Sequence, residues 1–351
     1  MSKRTTRTIM RTAAVGTAIA LFLSGCATAS DPPPEADISG GTPWDTVLEQ
    51  AKQEGSVTLY LGLANYEDRI SEGFSKAHPD IKLTIVRQPA TTLITKLGAE
   101  KDAGSAGGDV TILSTYDWFE KNSADLLPLK GDSHSLYTPS TDPLAGENYH
   151  TDVVVSFVFT SNTELLSKIG AQPIKTWDDT LQPQLKGLIG MTRPDLIPVQ
   201  VQHYYAVSQA RPDYLEKLSK LSPRLMDSSG TLGQAVAAGD LALGIGTTGP
   251  NVAPLLAAGA PIDVVTAEDP SFLIGYAAGI VKWSKHPAAA QVLTNWMLSK
   301  EGQEAQHNGG ASASVLDAIP GELDVSTEKF STGALSPEEE AFLPTFKKFF
   351  G

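Results

Sequence analysis

Short runs rich in β-branched residues alternate along this chain with longer segments of helical spacing, and that alternation constrains the fold more than any other feature. Strand, helix, strand in succession returns the chain to a mostly parallel sheet with helices on its faces. Residues 42–55 open the pattern, with Thr42 as N-cap, Pro43 at the first helical position, Val47, Leu48 and Ala51 on one face and Gly55 as the stop. Residues 57–61 read as a strand, 68–78 as a helix with Ile70 and Phe74 four apart, and 81–86 as an alternating strand. A helix at 91–103, a buried strand at 109–113 and a short helix at 116–121 follow. The second half repeats the grammar, with strands at 153–160, 187–192, 241–245 and 262–266 and helical segments at 198–221, 232–238 and 250–258. An apolar run at 273–283 and a helix at 287–297 then return to the first part. A chain of 351 residues exceeds what one core usually organises, so the expectation is an α/β protein of two lobes.

The first residues set the compartment. Lys3, Arg4, Arg7 and Arg11 precede an uncharged, mostly apolar stretch at 13–23 and a small-residue site, the pattern of a secretory signal peptide. That stretch is shorter than the roughly 20 apolar residues a transmembrane helix needs. Leu23-Ser24-Gly25-Cys26 resembles the bacterial lipobox, which implies cleavage before Cys26 and lipidation of its thiol. Cys26 is the only cysteine, so no intramolecular disulfide and no cysteine-based metal site can form. Residues 27–41, with Pro32-Pro33-Pro34 and Gly40-Gly41, read as a tether. The expected organisation is a leader at 1–25, a tether at 26–41, lobe one at 42–155 plus 271–351, and lobe two at 156–270.

Removing the leader takes away four basic residues and no acidic one, moving the formal charge from −13 to −17. Nucleic-acid binders cluster Lys and Arg on one face, and here the basic residues are scattered and outnumbered. The six histidines, His78, His134, His150, His203, His286 and His307, show neither the HExxH spacing nor metal-ligand spacing, and no nucleophile elbow is present. Gly244-Ile245-Gly246 lacks the remaining glycines of a dinucleotide fingerprint. The reading is therefore of a protein without catalysis, cofactor or metal.

Several segments resemble, in order, the type II periplasmic binding proteins near the ferric-ion-binding group. They are Glu54-Gly55-Ser56-Val57-Thr58-Leu59-Tyr60, Phe74 to Leu83, Gly108-Asp109-Val110, Lys175-Thr176-Trp177-Asp178-Asp179 with Lys186 to Gly190, Ala235 to Gly246, and Trp296-Met297-Leu298-Ser299-Lys300-Glu301-Gly302. The resemblance runs from about residue 42 to 306. It implies a two-lobed clamshell with a hinge between the lobes and one small solute held between them. It further implies docking on an ABC permease with its ATPase; together with the lipobox at Cys26, the expectation is a monomer lipid-anchored outside the cell membrane.

In open α/β sheets, ligands lie beyond the carboxyl ends of strands, where helix N-termini present backbone N–H groups. The polar residues at such ends are the candidate ligand contacts: Asn65, Tyr66, Thr91, Ser114, Tyr116, Arg193, Ser228, Ser229, Thr247, Thr248 and Tyr276. Ferric-binding relatives place a histidine, a glutamate and a tyrosine pair where this chain has Ala64-Asn65, Ala90-Thr91 and Thr247-Thr248. Fe(III) prefers phenolate and carboxylate oxygens, so their loss points away from iron. Tyr204-Tyr205 lies within a helical segment, where adjacent residues diverge by about 100°, and reads as packing, as do all five tryptophans. Hydroxyls, helix N-termini and an arginine suit an oxyanion such as a phosphonate, phosphate ester or carboxylate. A ferric-ion binder using other ligands, a polyamine binder, which needs Asp117, Asp195 or Asp269 in the cleft, and a sensor or scaffold lipoprotein of the same fold stay open.

Overall fold

Helix α1, Trp44–Glu54, opens the part of the chain that the computed structural model describes, namely residues 41–105, 107–138, 141–195, 198–266, 270, 272–307, 329–331 and 335–351. The expected leader, Cys26 and nearly all of the expected tether lie outside the described residues. Pro43 rather than Thr42 is the N-cap of α1, with extended backbone, and Gly55 ends the helix at φ 64°, a left-handed turn that glycine adopts without steric cost.

The first half continues with β1 (Ser56–Leu61), α2 (Glu67–Ala77), β2 (Lys82–Arg87), α3 (Ala90–Ala103), β3 (Val110–Leu113), α4 (Tyr116–Lys121) and β4 (Leu126–Leu127). Then come β5 (Tyr149–Asn162), α5 (Thr163–Ile169), β6 (Ile189–Thr192), α6 (Pro198–Ala210), α7 (Tyr214–Ser219), β7 (Arg224–Met226), α8 (Ser229–Ala237), β8 (Leu243–Thr248), α9 (Gly249–Ala257) and β9 (Ile262–Thr266). The chain closes with β10 (Phe272–Val281), α10 (Pro287–Leu298), α11 (Lys300–His307), β11 (Lys329–Ser331), α12 (Pro337–Glu340) and α13 (Phe342–Phe350).

The strands line up in the order β2-β1-β3-β10-β5-β8-β6-β7. Pairing is parallel within each half, β1 with β2 and β3, and β6 with β7 and β8. The long strands β5 and β10 run antiparallel to each other, β5 also to β8 and β10 also to β3, while β11 pairs parallel with β10, so the sheet is mixed where the sequence suggested a mostly parallel one. β5 joins the halves. Its residues up to Ser156 pair with β10, and from Phe157 onward it pairs with β8 and β9. All fourteen of its residues are buried, which is what a strand covered on both faces requires.

Each half buries both faces of its sheet. In the first, Val47, Ile70, Phe74 and Trp296 cover one face, and Leu93, Leu97, Tyr116 and Phe119 the other. In the second, Trp177, Tyr204, Tyr214 and Phe346 cover one face, and Leu232, Val236 and Val252 the other. The tryptophans Trp177 and Trp296 are core residues, and Tyr204 is fully buried with its ring stacked 5.1 Å from Phe346. The helical segment expected at 198–221 is two helices, because Pro212 cannot donate the next helical hydrogen bond. The C-terminal helix departs from the expected partition. β10, α10 and α11 pack on the first half, but α13 places Phe342 and Phe346 in the core of the second.

Candidate functional site

The halves approach each other through the loop after β1. Asn65 adopts φ 67°, a left-handed conformation that its short polar side chain tolerates better than most. From there its Nδ2 donates to the Pro250 carbonyl of α9 at 2.9 Å, spanning from the first half to the second. Gly249 and Pro250 are buried, although they begin a helix at a strand end.

Opposite Asn65, the ends of β7 and β8 bring two helix N-termini together. Ser228 caps α8 by accepting from Thr231 N at 3.1 Å. The next residue, Ser229, turns its Oγ to α9 and accepts from Thr248 N at 2.9 Å. Thr248 is the N-cap of α9 but does not cap it through its side chain; its Oγ1 instead accepts from Asn251 Nδ2 at 2.7 Å. Hydroxyls and amides thus gather around the positive ends of two helix dipoles, an arrangement with the polarity to receive an anion.

Other predicted residues lie elsewhere. Thr247 is buried and bonded to Thr160 Oγ1 at 2.7 Å and to the Val158 carbonyl at 2.8 Å, so it fixes the pairing of β8 with β5. Tyr66 is fully buried in the first-half core, with Arg69 over its ring at 5.8 Å. Tyr116 is buried too; its hydroxyl meets Thr151 Oγ1 at 2.8 Å, and Thr151 in turn donates to Asp142 at 2.7 Å. Burial drives the Tyr116 pKa well up, which keeps the hydroxyl neutral. Thr91 is exposed in the first turn of α3, and Ser114 is half-buried just before α4. Tyr276 is half-buried on β10, and burial pushes its pKa to about 12 while the positive charge of Arg87 pulls the other way.

Arg193 is held by acids. It bonds both Asp195 oxygens, at 3.1 and 2.8 Å, and reaches Asp227 at 3.5 Å. It lines a recess of about 280 Å³ with Leu225, Leu343, Phe346 and Lys347, against the C-terminal helix. Asp195 is therefore occupied by Arg193, and Asp117 by Lys121 at 2.8 Å. Asp269 lies outside the described residues. Among the described residues, no group of three His, Cys, Asp or Glu side chains is placed to hold a metal ion, and no helix is long and apolar enough to cross a membrane.

The structure also groups residues that the sequence does not suggest. Asn251 and Pro250 belong to the junction of the halves, and the Pro250–Pro254 spacing, one helical turn, is the signal that would have marked them. Ser56, His286 and Asp109 form a line, with Ser56 Oγ to His286 Nε2 at 3.3 Å and His286 Nδ1 to Asp109 Oδ2 at 3.1 Å. Asp109 also accepts from Thr58 N, Ser284 Oγ, Lys285 N and His286 N. A carboxylate so filled is a staple between β1, β3 and the start of α10.

The sequence matches the family described as bacterial extracellular solute-binding protein over residues 70–329. It is 25% identical over 284 residues to an uncharacterised protein of Haemophilus influenzae, covering 77% of this chain and 80% of that one. The fold is similar to the periplasmic binding protein AfuA of Actinobacillus pleuropneumoniae, solved with fructose-6-phosphate, with a TM-score of 0.66 and 22% identity over 84% of this chain and 98% of the other. It is also similar to iron-bound HitA of Pseudomonas aeruginosa, with a TM-score of 0.61 and 18% identity over 84% and 99%. These likenesses establish the two-lobed α/β periplasmic-binding-protein fold.

Proposed function

This chain belongs to the bacterial extracellular solute-binding protein family, and on that premise we propose that it is the capture component of an ABC importer. A small organic oxyanion, a phosphonate, phosphate ester or carboxylate, would be held between the lobes and passed unchanged to a permease and its ATPase. The observation that carries the ligand class is the junction of α8 and α9, where Ser229, Thr248 and Asn251 surround two helix N-termini and Asn65 faces them from the other lobe. Such a site donates hydrogen bonds from hydroxyls, amides and backbone N–H groups, and Asp227, the carboxylate next to Ser228, is engaged by Arg193.

The fructose-6-phosphate found in AfuA supports a phosphate ester as the first candidate. Iron, as in HitA, is the second reading. It is disfavoured because Asn65, Thr91 and Thr248 hold neutral side chains where a hard trivalent ion needs anionic oxygens. With Arg193 engaged by Asp195 and Asp227, Arg87 beside Tyr276 becomes the better cationic partner for a bound oxyanion.

A thermal-shift screen against phosphate esters, phosphonates, carboxylates, ferric salts and polyamines tests the reading. A ligand that binds only the folded state adds about 2.7 kcal/mol at a hundredfold excess over Kd. Stabilisation by one oxyanion class, lost in Arg87→Ala and kept in Arg193→Ala, is the expected result. Ser229→Ala should weaken binding about tenfold, as loss of one charge-assisted hydrogen bond does. A response to iron or polyamine alone overturns the ligand class, and consumption of any solute overturns the non-catalytic reading.

A further inference from the structure

We infer that Asn65 and Pro254 together make a latch that holds the two lobes closed. In an α-helix the N–H of each residue serves the carbonyl four positions earlier. Pro254 stands inside α9 and has no N–H, so the Pro250 carbonyl lacks the donor four positions on that an α-helix supplies. A buried carbonyl left so is unfavourable, and Pro250 is buried. The missing donor comes from the other lobe, in the Asn65 Nδ2 bond of 2.9 Å.

The geometry of Asn65 suits this role. Its backbone is left-handed, at φ 67°, which turns a short side chain across the gap, and asparagine tolerates that conformation. The bond exists only while the lobes are together; on opening, water takes both groups. Asn65 therefore acts by biasing an open and closed equilibrium, and Pro254 acts by keeping its acceptor available. The importance of this bias for solute capture rests on the function proposed above, but the latch itself does not require any solute.

Small-angle X-ray scattering of the ligand-free protein tests it. Asn65→Gly removes the side chain and keeps the left-handed backbone. Pro254→Ala restores an N–H to α9, which takes the Pro250 carbonyl for the helix. Both positions are exposed, so the core is untouched. Each variant should show the same larger radius of gyration than wild type, and the double variant should show no further increase, because both changes remove one bond. Asn65→Asp, of the same size but with an acceptor in place of the donor, should open the lobes as Asn65→Gly does. An unchanged radius in any of these single variants, or an additive increase in the double variant, overturns the latch. Solute titration separates the latch from the capture function. If a solute stabilises wild type, its Kd should weaken about fivefold in each variant, the worth of one neutral hydrogen bond in a closed state that binds. If no solute binds wild type, the capture reading fails while scattering still decides the latch.

Discussion

Asp152 occupies the extra position of a bulge in β5, where Val153 pairs with Tyr276 and Thr151 with Ala277. Its carboxyl is fully buried, and Oδ1 accepts from Gln303 Nε2 at 3.2 Å and Gln306 Nε2 at 3.3 Å, both on α11. Asp152 Oδ2 and Gln306 Oε1 are both buried without a partner, and a proton on Asp152 gives the carboxyl a donor of its own. Burial accordingly pushes the Asp152 pKa from 3.8 to about 7, against the glutamine hydrogen bonds. His307 beside Gln303 is held near pKa 4 by burial and the Arg69 charge, so it stays neutral above that. Between its unfolded and folded pKa values the folded state binds the extra proton, so this contribution is full in acid and is lost as pH rises through about 7. Asp152→Asn keeps the neutral shape. Thermal unfolding from about pH 5 to pH 8 should show the wild-type melting temperature falling relative to the variant, with the variant more stable at the upper end. A constant difference across that range would show that Asp152 does not titrate there.

At this scale the sequence was legible where a residue's role depends on its place along a strand. Ser229, Thr248 and Asn65 are polar residues at or beyond strand ends; Ser229 accepts from Thr248 N, and Asn65 donates to the Pro250 carbonyl two positions further on. Tyr66, Tyr116 and Thr247 satisfy the same rule but point inward, and which way a residue turns there depends on neighbours distant in sequence, such as Thr151 for Tyr116. Arg193 is taken by Asp195, two positions away, and by Asp227, 34 positions away, and only the second of these pairings lies beyond the local sequence.

Among the elements, those with strong periodicity emerge near their expected bounds, and α4 matches residues 116–121 outright. The short edge strand β7 was not expected, since three residues carry no period to read. The glycine of the Leu298–Gly302 motif has a packing reason: a Cβ at Gly302 would overlap the Trp296 carbonyl, so α11 can follow α10 this closely only through glycine. Helix α13 carries phenylalanines at 342, 346, 349 and 350, a stripe that demands burial but does not say against which lobe. Phe346 is 2% exposed and packs on Tyr204. Phe346→Ala should destabilise the fold by about 3–5 kcal/mol, as core aromatic truncations do. Urea denaturation measures this, and a loss within about 0.5 kcal/mol, the range of surface substitutions, would place α13 outside the cooperative core.

For the whole molecule, alternation of strands and helices announced an α/β protein of two lobes, and the fold is that of the periplasmic binding proteins. The connection of the lobes was less legible, because β5 was read only from 153 to 160, whereas it runs over fourteen residues and serves both sheets. A strand buried on both faces shows no alternation of exposed and buried residues to mark its ends. The proposed attachment to the membrane concerns a part of the chain outside the described residues, and its grounds are chemical. A single cysteine in an exported chain has no disulfide partner, and it follows Leu23-Ser24-Gly25 as a lipidated cysteine would. Each acyl methylene buried in a bilayer adds about 0.8 kcal/mol, so two chains hold a protein where one would let it exchange. Replacing the thiol by a hydroxyl removes the attachment point and leaves every described residue unchanged. In cells fed labelled palmitate, wild-type protein should carry the label and sediment with membranes. Cys26→Ser should carry none and appear in the soluble extracytoplasmic fraction. Equal membrane association of the two forms would exclude the lipid anchor at Cys26.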